Sequence, residues 1–98
     1  MEIKKTTNGS TLNAAISGRV DTTTAPALEA ELKESYDSCN ELVLDFADVE
    51  YISSAGLRVL LVSQKVMSKK GGMKVVNVSE DIMEIFEVTG FTDILTIE

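Results

Sequence analysis

Ser53 and Ser54 stand side by side ahead of Ala55-Gly56-Leu57, and the acids Asp45, Asp48 and Glu50 lie just upstream. Hydroxyls at the start of a helix sit among unpaired backbone N–H groups and a partial positive charge, an environment that stabilises anions. A phosphate on one of these serines would be tolerated by the helix while adding roughly two negative charges. Gly56 in the first turn costs roughly 1 kcal/mol of helix propensity against Ala. That cost suggests a close approach to the backbone, by a partner or a nucleotide-bearing active site. The plain alternative is a capping serine and a small residue that permits tight helix–sheet packing. The three acids fit either a solvated loop edge or a weak carboxylate set for a hard cation, because no calcium-binding loop pattern surrounds them.

What is missing narrows the chemistry further. The chain has no His, so a Ser-His-Asp triad, Cys-His catalysis and His-containing metal sites are all excluded. Neither a phosphate-binding glycine loop nor a Gly-x-Gly-x-x-Gly run occurs, and no cofactor or metal is expected. Cys39 is the only cysteine; it can form no internal disulfide, which fits a reducing compartment. With 9 Lys+Arg against 16 Asp+Glu, the net charge of -7 opposes binding to nucleic acid. No apolar run approaches the roughly 20 residues needed to span a bilayer, and Met1-Glu2-Ile3-Lys4-Lys5 lacks a signal-peptide core. The expectation is a monomeric cytoplasmic domain that is not a stand-alone enzyme.

The elements around the serines follow from the hydrophobic spacing. The 98 residues carry no repeat or Pro-rich linker, so one domain over residues 1–98 is expected. Asn8-Gly9 between Glu2–Thr7 and Thr11–Ser17 predicts a tight β-hairpin. Leu12, Ala14 and Ile16 alternate with polar or small residues, as a half-buried strand requires. Thr22-Thr23-Thr24 then leads to a helix in which a Thr supplies the cap and Pro26 sits in the first turn. Leu28, Leu32 and Tyr36 give that helix one apolar face.

Leu42–Phe46 reads as a buried central strand followed by a loop, and Ser53 or Ser54 opens a second helix. Leu57, Leu60, Leu61 and Met67, widened by Val59, Val62 and Val66, predict that this helix is substantially buried. Gly71-Gly72 ends it, after Lys65, Lys69 and Lys70. Met73–Val78 is read as a strand and Glu80–Thr89 as a third helix capped by Ser79 and stopped by Gly90. Ile94–Ile97 is either a final strand or an extended tail. The order β-β-α-β-α-β-α implies an α/β sandwich. Its sheet is mixed but mostly parallel, with an N-terminal hairpin and three or four helices packed largely on one face.

Tyr51-Ile52-Ser53-Ser54-Ala55-Gly56-Leu57 resembles the signature of STAS domains, specifically of bacterial anti-sigma factor antagonists. Gly18-Arg19-Val20-Asp21 resembles the element that follows the family's second strand. Thr24-Ala25-Pro26-Ala27-Leu28 resembles its first-helix start and Leu42-Val43-Leu44-Asp45-Phe46 its central strand. The resemblance implies that Ser54 is phosphorylated, with Ser53 as runner-up because it stands where many members carry Asp. It also implies partner contacts at Asp21, Thr22, Thr23, Ser53, Ser54, Ala55, Gly56, Leu57 and Arg58. Asp21 matches an acid near the phosphoacceptor, although a turn Asp is the plain alternative. Arg58, four residues beyond Ser54, either meets the partner, steadies the phosphate or is simply solvated. The implied partners are an anti-sigma factor that is a serine kinase and a phosphatase that resets the switch. A STAS domain of another system, such as a stressosome or a phospholipid-transport complex, is the competing expectation. A small enzyme using carboxylates or a metal is a third.

Overall fold

In the computed structural model, which describes residues 1–98, the chain forms four strands and three α-helices. These are β1 (Glu2–Asn8), β2 (Thr11–Val20), α1 (Ala25–Ser35), β3 (Glu41–Ile52), α2 (Ser54–Met67), β4 (Met73–Val76) and α3 (Glu80–Thr89). Short 3-10 turns follow α1 at Tyr36–Ser38 and α3 at Phe91–Asp93. The sheet order is β1-β2-β3-β4, antiparallel in the first pair and parallel in the other two. The tail adds one parallel bridge, Val75 to Ile97, on the outer edge of β4. Each crossover advances the sheet in the same direction, so right-handed connections put all three helices on one face. The expected mixed α/β architecture is present.

The core is one cluster lying between that face and the helices. Leu12, Ala14 and Ile16 of β2 and Leu42, Leu44 and Phe46 of β3 meet Leu28 and Leu32 of α1, Leu57 and Leu60 of α2, and Ile82 and Phe86 of α3. The rings of Phe46 and Phe86 lie 6.1 Å apart at 45°, tying α3 to the central strand. The opposite face leaves Lys4, Thr6 and Ala15 exposed. Cys39 is buried and its thiol donates to the Ser35 carbonyl; burial raises its pKa above the ordinary value, so it is held as a neutral thiol.

Several boundaries differ from the sequence expectation for local reasons. The hairpin turn is Gly9-Ser10, because Asn8 pairs with Thr11 and the left-handed conformation falls on Gly9 at φ +64°. Glycine at the first central position is the mark of a type II′ turn. The regular part of α2 stops at Met67, so Lys69 and Lys70 lie in the turn beyond it. Val62 of α2 is exposed rather than buried. β4 ends at Val76 because Asn77 takes a left-handed φ of 58°. Its side chain then donates to Asp45 Oδ1 at 3.1 Å.

The largest difference is β3. It runs through Ile52, where a loop was expected after Phe46. Its register against β2 slips by one residue between Ala15/Asp45 and Ser17/Asp48, and again between Gly18/Val49 and Arg19/Tyr51. Each slip is a bulge that adds a residue to β3 and re-aims those that follow. Phe46, Val49 and Ile52 therefore all point into the core at a spacing of three, which breaks the period of two on which strand reading depends.

Tyr36 joins α1 to α2. Its hydroxyl lies 2.6 Å from Ser63 Oγ, and Ser63 is fully buried. Tyr36→Phe should destabilise the fold by about 1–3 kcal/mol, because the Ser63 hydroxyl would lose its partner inside the core. Adding Ser63→Ala should recover much of that loss; denaturant unfolding of both variants checks it.

Candidate functional site

Ser53 and Ser54 have different local fates. Ser53 is the N-cap of α2, extended at φ -93° and ψ 176°, with its hydroxyl accepting from the Gly56 N–H at 3.4 Å. Its N–H donates to the Val20 carbonyl at 2.8 Å, and its carbonyl accepts from Leu57 N–H at 2.9 Å. The N–H, the carbonyl and the hydroxyl oxygen of Ser53 are thus all engaged, and the residue is half-buried. Ser54 is the first helical residue, and it is exposed. Its hydroxyl makes no hydrogen bond within the protein and stands beside the free amides of the first helical turn.

Gly56 has an internal explanation. A Cβ on Gly56 would lie 2.7 Å from Ile52 Cγ1 and 2.7 Å from Val20 Cγ1, closer than real contacts allow. The close approach inferred from sequence is therefore made by the ends of β2 and β3 rather than by a partner. Leu57 is also buried, so the Gly56 backbone and the Leu57 side chain both face the core. Of the residues expected to meet a partner, Gly56 and Leu57 position the others.

Val20 also links the helix start to the turn that follows β2. There Asp21 Oδ1 accepts from Thr23 Oγ1 at 2.7 Å, Thr23 N–H at 3.0 Å and Thr24 N–H at 3.2 Å. The Thr side-chain cap expected for α1 is absent: Thr24 is the N-cap but donates its hydroxyl to the Arg19 carbonyl at 2.9 Å, and the Ala25 N–H that opens the helix donates to the Asp21 backbone carbonyl at 2.8 Å. The turn role of Asp21 holds in this structure. These bonds, that of the Thr23 hydroxyl first, hold the Asp21 carboxyl below its ordinary pKa of 3.8. A depressed carboxyl stabilises the fold above its ordinary pKa, and that support disappears as pH falls through the depressed value. Wild type should therefore exceed Asp21→Asn in stability at neutral pH, and the gap should close in acid. Urea unfolding from pH 7 to pH 2 measures it.

Arg19, which sequence reading left aside, stacks over the Tyr51 ring at 4.5 Å from its centroid and reaches Asp21 Oδ2 with Nε at 3.7 Å. The signal lay in the strand pairing that sets Arg19 opposite Tyr51. On the helix side, Thr22, Ala25 and Glu29 face Ala55, Arg58 and Val62 across an open depression of about 460 Å3. Thr22, Ala55 and Arg58 of the expected set are thus brought together beside Ser54. Thr23 remains in the Asp21 turn.

Asp48 and Glu50 are strand residues, not a loop edge. Asp48 stands opposite Ser17 and Ile52 opposite Val20, three residues apart on β2, so the two are about 10 Å apart along the sheet. That exceeds the screening length of about 8 Å at physiological salt, so its influence on a charge at Ser54 is small. Asp45 spends its carboxylate on Ala47 N–H at 2.9 Å and on Asn77. The three acids do not converge on a common point.

The fold and the site together define a small α/β domain that presents one unengaged hydroxyl at a helix N-terminus. The chain belongs to the STAS domain family, whose model matches residues 2–98. It is 33% identical over 98 residues to the anti-sigma-B factor antagonist of Bacillus subtilis, covering 99% of this chain and 88% of that protein. The crystal structure of an anti-sigma factor antagonist from Mycobacterium paratuberculosis superposes with a TM-score of 0.89 at 27% identity, over 98% of this chain and 83% of the other. The phosphorylated form of the Bacillus protein SpoIIAA shares the fold, with a TM-score of 0.76 at 13% identity over 99% of this chain and 91% of that one. No helix is long and apolar enough to cross a membrane.

Proposed function

We propose that the protein is an anti-sigma factor antagonist switched by phosphorylation of Ser54. In the unphosphorylated state it binds an anti-sigma factor that is also a serine kinase, and so releases a sigma factor for transcription. The kinase transfers the γ-phosphoryl group of ATP to Ser54 Oγ, leaving ADP, and the complex separates. A phosphatase hydrolyses the phosphoserine and restores binding. The chain is the substrate in this cycle and not the catalyst, acting in the cytoplasm as a monomer.

The observation that carries the reading is the contrast between the two serines. Ser54 is exposed with a free hydroxyl, whereas Ser53 is held as the helix cap. The names of the relatives reported above support the class of partner. A phosphate at Ser54 would meet the helix amides without unfolding α2, yet it would place a dianion in the contact surface. A local charge change of this kind needs no movement of the fold.

Incubation with ATP and the cognate kinase, followed by mass spectrometry of the digested chain, tests the reading. One phosphate on Ser54 is expected. Phosphate on Ser53 would reassign the acceptor, and no phosphate would overturn the switch in favour of a STAS domain of another system.

A further inference from the structure

The outward side of α3 carries features that its own fold does not explain. Val88 is 81% exposed, and Ile85, nearly one turn earlier, is only partly covered. Exposed Asp81, Glu84 and Glu87 stand around them, and the helix contains no basic residue. Glu80 and Asp81 have a local reason, because acids in the first turn complement the positive end of the helix. Glu84 and Glu87 have none. Glu87 lies in the last turn, where negative charge is unfavourable, and neither acid is in an ion pair. An open depression of about 370 Å3 runs along this side between Asp81 and Thr89. Packing is secured from the other side by Ile82 and Phe86, with Ile85 leaning on the core from its inner edge, so Val88 is the part of the ridge that plays no role in holding α3 in place.

We propose that this face of α3 docks a basic amphipathic segment of a partner protein. The partner's apolar side chains cover Val88 and Ile85, while its Lys or Arg residues pair with Asp81, Glu84 and Glu87. Charge complementarity selects the occupant: an acid-only rim repels nucleic acid, acidic peptides and the same face of a second copy. The apolar ridge favours an amphipathic segment over a simple polycation. The surface lies on a different helix from Ser54, and the proposal goes beyond the switch: it stands whether or not Ser54 is phosphorylated.

The test titrates the isotope-labelled full chain with a short helical peptide of Leu and Lys in amphipathic order, at physiological ionic strength. Amide shifts followed by NMR should concentrate in residues 80–89. Glu84→Lys and Val88→Ser should each weaken binding about tenfold, and a polylysine of equal charge should bind at least about tenfold more weakly. Ser54→Asp should leave the affinity unchanged. Shifts scattered over acids elsewhere, such as Glu29 and Glu34, would overturn the proposal, as would the absence of binding. Loss of binding in Ser54→Asp would assign the face to the switch instead. Concentration-dependent α3 shifts without peptide would assign it to a second copy of the chain.

Discussion

Ser54→Asp should weaken binding to the proposed kinase partner by about a hundredfold, corresponding to about 3 kcal/mol. Ser54→Ala should bind like the wild type but remain bound in the presence of ATP. The size of the effect follows from where the charge is placed. A carboxylate on the first residue of α2 faces the helix amides, so it costs the isolated domain little. At the partner surface it must be stripped of water without a designed counter-charge, and charged groups left unpaired in an interface are expensive. Asp21, one loop away, adds like-charge repulsion, while Asp48 is too distant to contribute much. Calorimetry at physiological salt, with thermal unfolding of the same variants, separates the two sides. Unchanged melting with much weaker binding is expected; equal affinity of wild type and Ser54→Asp would remove the electrostatic switch.

Gly56→Ala should destabilise the protein by about 1–2 kcal/mol, against the gain of up to about 1 kcal/mol that this exchange brings in an open helix. The sign is reversed because the added methyl would press on Val20 and Ile52, which are themselves at or below 2% exposure and have nowhere to go. Overpacking of this kind costs roughly 1–3 kcal/mol. Gly56→Val should approach loss of the fold. Trimming the neighbour gives the decisive control: Val20→Ala is damaging alone, yet the double variant Val20→Ala/Gly56→Ala should be more stable than the sum of the two single losses predicts. Strict additivity in denaturant unfolding would show that the two groups do not compete for space. Because Ser54 rides on the same turn, Gly56→Ala should also slow phosphorylation in a folded sample.

The order of elements was legible in the sequence because most of it is local. Ser79 and Gly90 bracket α3 as a cap and a left-handed stop, and Leu28 and Leu32 mark the buried face of α1. The upper half of β3 was not legible, because its two bulges depend on β2 for their register. A strand that buries Phe46, Val49 and Ile52 has no period of two to find. For the site, the Ser-Ser-Ala-Gly-Leu run drew attention to the right place, but its parts were assigned by packing. Gly56 answers to Val20 and Ile52, residues brought together only by the sheet. Arg19 and Tyr51 are likewise neighbours across strands and far apart along the chain.

The commitment of Ser53 as a cap has a consequence for fidelity. An enzyme presented with two adjacent serines could modify the wrong one, and neighbouring sequence offers it almost no discrimination. To offer Ser53, the chain would have to give up the cap and fray the first turn of α2, which costs about 1 kcal/mol. That alone restricts the competent population to roughly one molecule in six at best, before the buried contacts around Gly56 are counted. In the proposed switch the chain therefore supplies part of the accuracy itself, through the equilibrium of one helical turn. Weakening that turn should raise the error rate even when the catalyst is unchanged.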